Sequence, residues 1–534
     1  MRKIFFGMLL VLWMVPVSAA PAQQDKIGTD GLPWWNDRVF YEVFVRAYAD
    51  SNGDGNGDLK GLISKLNYLN DGDPATTSDL GVTGLWLMPI MQSPSYHGYD
   101  ITDYEQIESD YGTNDDFKQL VEEAHKRGIA VIIDMVLNHT ARDHAWFQDS
   151  LTPGSEHDSW YIWSDTLQRY SGPWGETVWN IGRDRFYYAI FQGGMPDLNY
   201  RNPDVTQAMY GVADFWLNDM GVDGFRLDAV KHLIEDGRTQ ENTPETFDWL
   251  KAWEAHLESV KPDVFTVGEV QNDSDIASLY VPDSVDTVFA FDLAGAMVNA
   301  AKLGKVGNLP DVQKRVLKAY ELGQYGAFLT NHDQNRIMNE LHRDFNKVGV
   351  AASLLLTQPG VPFIYYGEEI GMTGIKPDEC IRTMFQWDDT KLVAPFMKGK
   401  NCKTNQDVAS VTAETGDSAS LLSHYRDLIR FRTAHPALQT GDMTVLDITA
   451  EQVYSFIRHD DTETLLVVIN LSGDTVSDYQ ISGGSGLTAV GDVQLLLGAG
   501  EPSVPTVTAD GGLSSYQPLT ELAPYSTTII ALSH

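Results

Sequence analysis

Basic residues are scarce in this chain. The 534 residues include 38 Lys and Arg against 74 Asp and Glu, which gives a formal net charge of −36. Binding to phosphate groups needs clustered cations, so this shortage excludes nucleic acid and anionic membrane surfaces as expected partners. Charge alone does not indicate a substrate.

Long apolar runs are also rare, and the longest lies at the N-terminus. Arg2 and Lys3 precede an apolar stretch at residues 4–17, and small residues follow at 18–20 and 22. This pattern predicts a signal peptide at residues 1–22, since the run is shorter than the roughly 18 residues of a membrane span. A retained anchor is the alternative. We expect a secreted or periplasmic protein with no membrane contact after cleavage.

Cysteine occurs only twice, at Cys380 and Cys402. Two cysteines close in sequence in an exported protein favour a disulfide between them. A pair of buried, unpaired thiols is the alternative that composition leaves open.

The length of the chain suits one large barrel with smaller domains, because a β/α barrel needs about 250 residues. A hydrophobic content of 43% excludes a wholly disordered chain. Apolar runs separated by helical patterns predict parallel strands with crossovers, and hence an eight-stranded β/α (TIM) barrel. The predicted strands are residues 39–45, 84–88, 130–133, 224–228, 265–269, 287–291, 328–331 and 363–366.

Two further regions flank or interrupt the predicted barrel. Residues 140–203 are rich in aromatics and Gly and too long for a loop, so they predict an inserted subdomain after the third strand whose aromatics form a small core or stack on sugars. Short alternating strands from about residue 441 predict a C-terminal antiparallel β domain at residues 441–534. The barrel is then expected at residues 23–139 and 204–440.

Four segments combine an apolar run with charged or imidazole side chains at its end. They are DMVLNHT, GFRLDAVKH, FTVGEV and FLTNHDQNR, at residues 134–140, 224–232, 265–270 and 328–336. The pattern is typical of buried parallel strands whose C-terminal ends open into a polar site. These segments resemble the conserved regions of the α-amylase family of retaining glycoside hydrolases. Within it, the chain looks closest to bacterial secreted α-amylases intermediate between oligo-1,6-glucosidase and neopullulanase types.

The resemblance assigns three carboxylates. Retention needs a carboxylate nucleophile and a protonated carboxyl about 5 Å apart. Asp228 matches the nucleophile, Glu269 the general acid/base, and Asp333 the carboxylate that binds sugar hydroxyls. Arg226 is predicted to lie beside Asp228 and keep it ionised, because side chains at i and i+2 share a strand face. Partial burial is predicted to raise the pKa of Glu269.

The resemblance also implies sugar-binding side chains, with Arg226 counted among them. His139 and His332 are expected to donate hydrogen bonds to the reacting glucose, a structural role being the alternative for each. Tyr99, in SYHGYD, resembles the aromatic platform under that sugar, and His97 lies beside it.

Two departures from exo-acting α-glucosidases favour an open cleft. Tyr96 stands where those enzymes place an Asp that closes the pocket behind the non-reducing end. Lys231 and His232 resemble the residues with which α-amylases bind the aglycone side of the substrate. The segment MPDLN, at residues 195–199, decides little because it is intermediate between two known forms.

A structural Ca²⁺ is expected in the loop DSNGDGNGD. Alternating side-chain oxygens on a glycine-rich turn suit a hard cation. The loop resembles the calcium loop of oligo-1,6-glucosidase-like members rather than an EF-hand, because Gly61 stands where an EF-hand has Glu. An unliganded acidic turn is the alternative. The predicted ligands are Asp50, Asn52, Asp54, Asn56 and Asp58.

A second calcium links barrel and insertion in α-amylases. Asn138, Asp197 and the His232 carbonyl match its ligands, but family members with PDLN-type segments often lack it. The sequence leaves both outcomes open.

The leading interpretation is an endo-acting, retaining α-amylase, a monomer that cleaves α-1,4 bonds in α-glucan or maltooligosaccharides. Alternatives are a cyclomaltodextrinase or neopullulanase, an α-glucosidase and a 4-α-glucanotransferase. A non-catalytic glycan-binding protein is disfavoured, because such relatives have lost carboxylates that are all present here.

Overall fold

The computed structural model describes residues 31–390, 392–402, 404–405, 408–487 and 490–533. The predicted signal peptide, residues 1–22, lies outside these ranges. No helix within them combines the length and apolar character needed to cross a bilayer.

Eight parallel strands close into a barrel in which each strand pairs with its neighbours in sequence order and the eighth pairs with the first. This confirms the predicted fold. The strands are Phe40–Val43, Gly84–Leu87, Ala130–Met135, Gly224–Leu227, Phe265–Gly268, Thr287–Phe289, Tyr325–Ala327 and Val361–Tyr365.

The seventh strand was predicted at residues 328–331, and that placement is wrong. The strand ends at Ala327, because Thr287–Phe289 pairs only with Tyr325 and Gly326 and the eighth strand pairs only with Gly326 and Ala327. A Cβ at Gly326 would lie 3.0 Å from the ring of Phe363, so the missing side chain leaves room inside the barrel. Residues 328–331 follow the strand and lead to the barrel mouth.

The lower part of the barrel interior is filled by aromatic rings. Phe40 stacks on Phe363 with centroids 4.9 Å apart, and Trp86 lies 5.5 Å from Phe289. Gly84 is required beside Phe40, since a Cβ there would come within 2.4 Å of the ring. The barrel is therefore filled at this level, and a substrate site is expected at its C-terminal end.

Helices surround the barrel and begin at side-chain caps. Thr113 and Asp116 form a capping box at the second helix, and Asn202 caps a helix that begins with Pro203. The α-helices are Leu59–Leu69, Asn114–His125, Ala145–Ser150, Pro203–Asp214, Pro244–Val260, Ser274–Ala277, Phe291–Leu303, Leu309–Ala319, Ile337–Glu340, Phe345–Thr357, Asp378–Ile381, Val411–Glu414, Leu421–Ala434 and Pro436–Gln439. Short 3₁₀ turns span Trp34–Asp37, Val45–Ala47, Asp158–Trp160, Val230–His232, Ser278–Tyr280 and Pro395–Met397, and a π turn spans Phe215–Asp219.

The segment between the third and fourth barrel strands forms its own small sheet. Its strands are Trp163–Ser164, Trp179–Ile181 and Phe186–Tyr188. Trp179 and Tyr188 are buried there with Val178 and Ile190 in a separate apolar cluster. Trp174 differs, because 57% of its surface is exposed. A further hairpin, Met91–Gln92 with Asp103–Ile107, lies beside the mouth.

The C-terminal region packs two antiparallel sheets around a second apolar core. One sheet contains Asp442–Val445, Val453–His459, Thr464–Asn470, Asp492–Leu497 and Thr527–Ser533, and the other contains Asp447–Ile448, Ile481–Gly483 and Leu513–Tyr516. Arg458, fully buried, connects this region to the barrel by donating to the Thr357 carbonyl at 2.8 Å. Arg432 donates to the Gln358 carbonyl at 2.7 Å.

Cys380 and Cys402 form a disulfide, with Cα atoms 5.1 Å apart. The bridge joins the helix Asp378–Ile381, which follows the eighth barrel strand, to a later segment. Lys400 and Glu379 pair at 2.6 Å beside it. The disulfide and this ion pair therefore connect the beginning and the end of the segment 378–402, which follows the eighth strand at the barrel mouth.

Replacement of both cysteines by serine should lower the free energy of unfolding by about 3 kcal/mol, because the bridge closes a loop of 22 residues. Denaturant unfolding of the wild type and the double variant measures this difference. Alkylation of native protein without reductant should add no mass. Two alkyl groups per chain would contradict the bridge.

Candidate active site

A cavity of about 590 Å³ opens at the C-terminal ends of the barrel strands. Most of the side chains predicted from sequence to form the site meet in its wall. They are His97, Tyr99, His139, Asp228, Lys231, His232, Glu269 and Asp333.

Below the cavity lies a fully buried arginine, Arg226, bound to three carboxylates. Its Nη1 lies 2.6 Å from Asp228 Oδ1 and 2.9 Å from Asp134 Oδ1, and its Nη2 lies 2.7 Å from Glu269 Oε2. The predicted contact between Arg226 and Asp228 is present. Asp134 is the residue opposite Arg226 on the neighbouring strand, so sheet register brings the two together.

Burial, opposed by the Arg226 guanidinium, raises the pKa of Asp228 to about 6, and the charge of Asp134 adds to the rise. Arg226 therefore lowers this pKa, as expected, without restoring its usual value. Burial also raises the pKa of Glu269, again against Arg226, and the negative charge of Asp228 contributes. This rise agrees with the direction predicted for Glu269 from sequence.

His332 is completely buried and uses both ring nitrogens. Its Nδ1 bonds to Glu42, and its Nε2 lies 2.6 Å from the Tyr99 hydroxyl and 3.1 Å from Asp333 Oδ2. Burial would lower the pKa of His332, but the carboxylates of Asp333 and Glu42 raise it to about 10. The ring is thus an imidazolium whose two N–H groups both donate.

Asp333 is the acid whose pKa is lowered. Burial would raise it, but the charge and hydrogen bond of His332, together with the charge of Arg382, bring it well below the usual range. Arg382 donates from Nη2 to Asp333 Oδ1 at 2.8 Å. Asp333 is therefore ionised at a pH at which Glu269 more readily holds a proton.

Arg226 and His332 were predicted to bind substrate, but the structure places both below the cavity surface. Their donors are already engaged with protein carboxylates and with Tyr99. These contacts give them a positioning role, in which Arg226 fixes Asp228 and Glu269. His332 fixes Asp333 in the same way.

His139 and His232 do line the cavity, and both rings are neutral. Burial lowers the pKa of each to about 4. His139 donates from Nε2 to the Tyr99 carbonyl at 3.2 Å, and His232 donates from Nδ1 to the Gln240 carbonyl at 2.7 Å. The remaining nitrogen of each neutral ring is an acceptor.

Several residues of the site were missed in the sequence. Arg382 and Asp378 come from the segment after the eighth strand, and Trp174 and Phe191 come from the insertion, whose aromatics were expected to form a small core or stack on sugars. None lies in the four conserved segments that carry the family resemblance. For Asp134 a signal existed, since an acid interrupts the apolar run AVII in a buried strand.

The loop at residues 50–58 lies outside the cavity, and its side chains bind its own backbone. Asp50 accepts hydrogen bonds from the amides of Gly53 and Gly55, at 2.7 and 2.8 Å. Asp58 is buried, and accepts from Ser51 and from Gly61 as the cap of the first helix. In the described ranges, no three His, Cys, Asp or Glu side chains converge to hold a metal.

The second predicted metal site contains buried oxygens without partners. Asn138 Oδ1, Asp197 Oδ2 and Glu235 Oε1 are inaccessible to solvent and make no hydrogen bond. Burial and the charge of Glu235 raise the pKa of Asp197 well above its usual value. Two carboxylates and an amide oxygen are ligands that suit calcium, and Glu235 had not been identified from sequence.

The family profile for the α-amylase catalytic domain matches residues 42–441. The chain belongs to the α-amylase family. It is 38% identical over 454 residues to "Alpha-amylase 3" of Dictyoglomus thermophilum, covering 82% of this chain and 86% of that protein. This α-amylase-family chain is thus a glycoside hydrolase, and its substrate is a carbohydrate.

Other relatives of this α-amylase-family protein differ in activity. A trehalose synthase of Thermus thermophilus is 34% identical over 519 residues, covering 86% of this chain and 52% of that protein. An α-amylase structure from H.orenii superimposes with a TM-score of 0.80 at 41% identity, covering 93% of this chain and 99% of that one. The relatives are therefore named both as α-amylases and as a trehalose synthase.

Activity should depend on pH through Asp228. Because the pKa of this carboxyl is raised to about 6, kcat/KM should fall as pH drops through that value and the carboxylate is protonated. Asp134→Asn removes a negative charge that raises this pKa, so the acid limb should move to lower pH. The exposed Asp115→Asn should leave it unchanged. An acid limb that stays in place in Asp134→Asn would contradict the coupling.

Proposed function

We propose that this protein is an endo-acting α-amylase that hydrolyses α-1,4-glucosidic bonds of starch and maltooligosaccharides with retention. The observation that carries the proposal is the single guanidinium that binds both Asp228 and Glu269 at the cavity floor. Two carboxyl groups held by one Arg side chain suit the separation of about 5 Å of retaining enzymes better than the wider spacing of inverting ones.

The roles follow from where the protons reside. Glu269, with its raised pKa, gives a proton to the leaving oxygen, while ionised Asp228 attacks the anomeric carbon. Water then attacks the glycosyl-enzyme, and Glu269 takes the proton back. Asp333, kept ionised by His332 and Arg382, accepts hydrogen bonds from sugar hydroxyls and stabilises developing positive charge.

The residue beside the cavity-lining His97 supports an open cleft. Tyr96 stacks on Phe396 with centroids 4.8 Å apart and an interplanar angle of 10°, so a neutral ring stands where α-glucosidases carry the pocket-closing carboxylate. On the other side, Lys231 and His232 reach the cavity from the turn after Asp228. A chain of sugars then has contacts on both sides of the bond to be cut.

Starch should lose iodine staining well before reducing sugar accumulates, because internal bonds of a bound chain are cut first. New ends should appear as the α-anomer, and maltose should be a poor substrate. Asp228→Asn should reduce all turnover by several orders of magnitude with little change in melting temperature. Release of glucose alone from chain ends, with maltose a good substrate, would replace the proposal with an exo-acting α-glucosidase.

We also propose structural calcium, bound chiefly by Asn138, Asp197 and Glu235. The support is three buried oxygens that lack partners, two of them from neighbouring carboxyl groups. Bound there, the cation would neutralise the carboxylates and tie the insertion to the barrel. The carbonyl of His232 is the further predicted ligand. The loop at residues 50–58 offers a weaker, exposed site, since Asp58 serves as a helix cap.

Chelation should lower the melting temperature, because calcium bound only to the native state stabilises it. Asp197→Asn should remove most of this sensitivity to chelator, and Asp54→Ala should remove a smaller part. Thermal unfolding with and without chelator, on protein of known metal content, measures both. Identical melting curves for metal-free wild type with and without added calcium would reject both sites.

A further inference from the structure

A second cavity, of about 480 Å³, lies where two barrel helices meet the C-terminal region. This volume is within the range of about 300–1,000 Å³ that is typical of small-molecule sites. The cavity shares none of its described lining residues with the active-site cavity, so it is a separate site. Its wall includes Phe345, Glu414, Asp417, His424, Asp427 and Tyr525.

The charges in this wall disfavour both anions and metal ions as ligands. Three carboxyl groups line the second cavity, and no Lys or Arg is among its described lining residues. His424 adds no positive charge, because burial lowers its pKa, and its Nε2 donates to the Gly349 carbonyl at 2.9 Å. In the part of the chain that the structure describes, no three His, Cys, Asp or Glu side chains converge to hold a metal. A neutral ligand with hydroxyl groups suits such a wall better, because its hydroxyls can donate to carboxylates.

One of the three carboxyls is buried and has a free oxygen. Glu414 is 6% exposed, and its Oε2 accepts from the Leu422 amide at 2.9 Å. Its Oε1 has no hydrogen-bond partner among the described residues. Burial raises the pKa of Glu414 to about 7, although the Leu422 amide lowers it in part. A buried carboxyl beside a cavity can therefore exchange hydrogen bonds with a ligand hydroxyl, as donor or as acceptor.

Two aromatic rings in the wall are held in place by close backbone contacts. Phe345 is 43% exposed, and its ring lies against Gly371, where a Cβ would come within 2.9 Å of it. The ring of Tyr525 lies against Gly473, where a Cβ would be 3.2 Å away. Tyr525 has a φ of +51°, which is uncommon for a bulky side chain, and backbone strain of this kind is frequent at ligand-binding positions. Both rings are thus positioned before a ligand arrives, which reduces the entropy lost on binding.

We propose that the second cavity is a non-catalytic binding site for α-glucan chains, in which Phe345 and Tyr525 stack on sugar rings and Glu414 binds a sugar hydroxyl. Aromatic faces pack against the apolar face of a sugar, and the carboxyls bind its hydroxyls. The inference rests on the proposed function for the identity of the sugar.

The position of the second cavity relates it to the active site. It lies at the first turns of the helices Phe345–Thr357 and Leu421–Ala434. Helices that follow the strands of a β/α barrel begin on the side where the active site opens. A glucan long enough to reach both cavities is bound at two places, and binding at one raises its effective concentration at the other. The second cavity should therefore lower the KM for starch and leave the KM for short oligosaccharides unchanged.

Binding is measured with the reacting subsite filled. The reagent 5-fluoro-α-glucosyl fluoride should form a slowly hydrolysed ester with Asp228, seen as one label per chain by intact mass. Native electrophoresis in gels with and without soluble starch then gives an apparent affinity. Labelled wild type should be retarded by starch. Phe345→Ala and Tyr525→Ala should each weaken this affinity by about tenfold, the loss expected for one aromatic stacking contact.

Matched variants separate stacking from a structural effect. Phe345→Tyr and Tyr525→Phe keep a ring and should retain most of the affinity, whereas Phe345→Leu keeps bulk without a ring and should resemble the alanine variant. Leu279→Ala, at a 64% exposed position outside both cavities, should match the wild type. Unlabelled alanine variants should show a raised KM for starch and wild-type kcat/KM on a maltotrioside.

Equal retardation of wild type, Phe345→Leu and both alanine variants would overturn the inference. Release from starch by choline but not by maltoheptaose would also overturn it, because the cavity would then bind an organic cation. If Tyr525→Ala fails to fold, as judged by its melting curve, Phe345→Ala and Phe345→Leu decide. Wild-type enzyme that takes no label and leaves starch intact would instead reject the proposed function, while retardation of the unlabelled variants in starch gels, which needs no catalysis, would still test the second cavity.

Discussion

The site depends on one positive charge buried among three negative ones. Arg226 cannot lose its proton in practice, so its guanidinium has to be paired wherever it is buried. Asp134, Asp228 and Glu269 provide the pairing, each from the end of a different strand. The same contacts fix the carboxylates relative to one another. Without the cation, three acids this close and this buried would hold protons instead of charge.

The buried charges give the acids of the site different pKa values, so that some are ionised while another holds a proton. The carboxylates of Asp333 and Glu42 raise the pKa of His332 against the effect of burial, and the cationic ring in turn keeps the pKa of Asp333 low. Burial raises the pKa of Glu269, although the positive charge of Arg226 lowers it in part. A chain with about twice as many acidic as basic residues thus places three buried cations, Arg226, His332 and Arg382, where they decide which carboxyl carries the proton.

Local patterns in the sequence predicted a good part of the fold and site. Apolar runs separated by helical patterns predicted the eight-stranded barrel. The alternation of side chains along a strand predicted that Arg226 lies beside Asp228, because that contact is fixed within one strand. Contacts across the barrel were not predictable in this way. The role of Asp134 depends on register between strands, and that of Arg382 on a segment that returns from the eighth strand. The seventh strand was misplaced because the run YGAFL is apolar on both sides of its true end.

The similarity to known catalytic domains ends at residue 441, but the packing does not. Arg458, from a strand of the C-terminal sheet, binds the Thr357 carbonyl at the last turn of a barrel helix and the Gly441 carbonyl. That helix leads directly into the eighth barrel strand, Val361–Tyr365, and onward to the bridged segment carrying Arg382. The catalytic region as defined by homology therefore shares buried hydrogen bonds with the C-terminal sheets, at the end of the barrel opposite the substrate-binding mouth. The last ninety or so residues thus take part in the packing beneath the eighth strand.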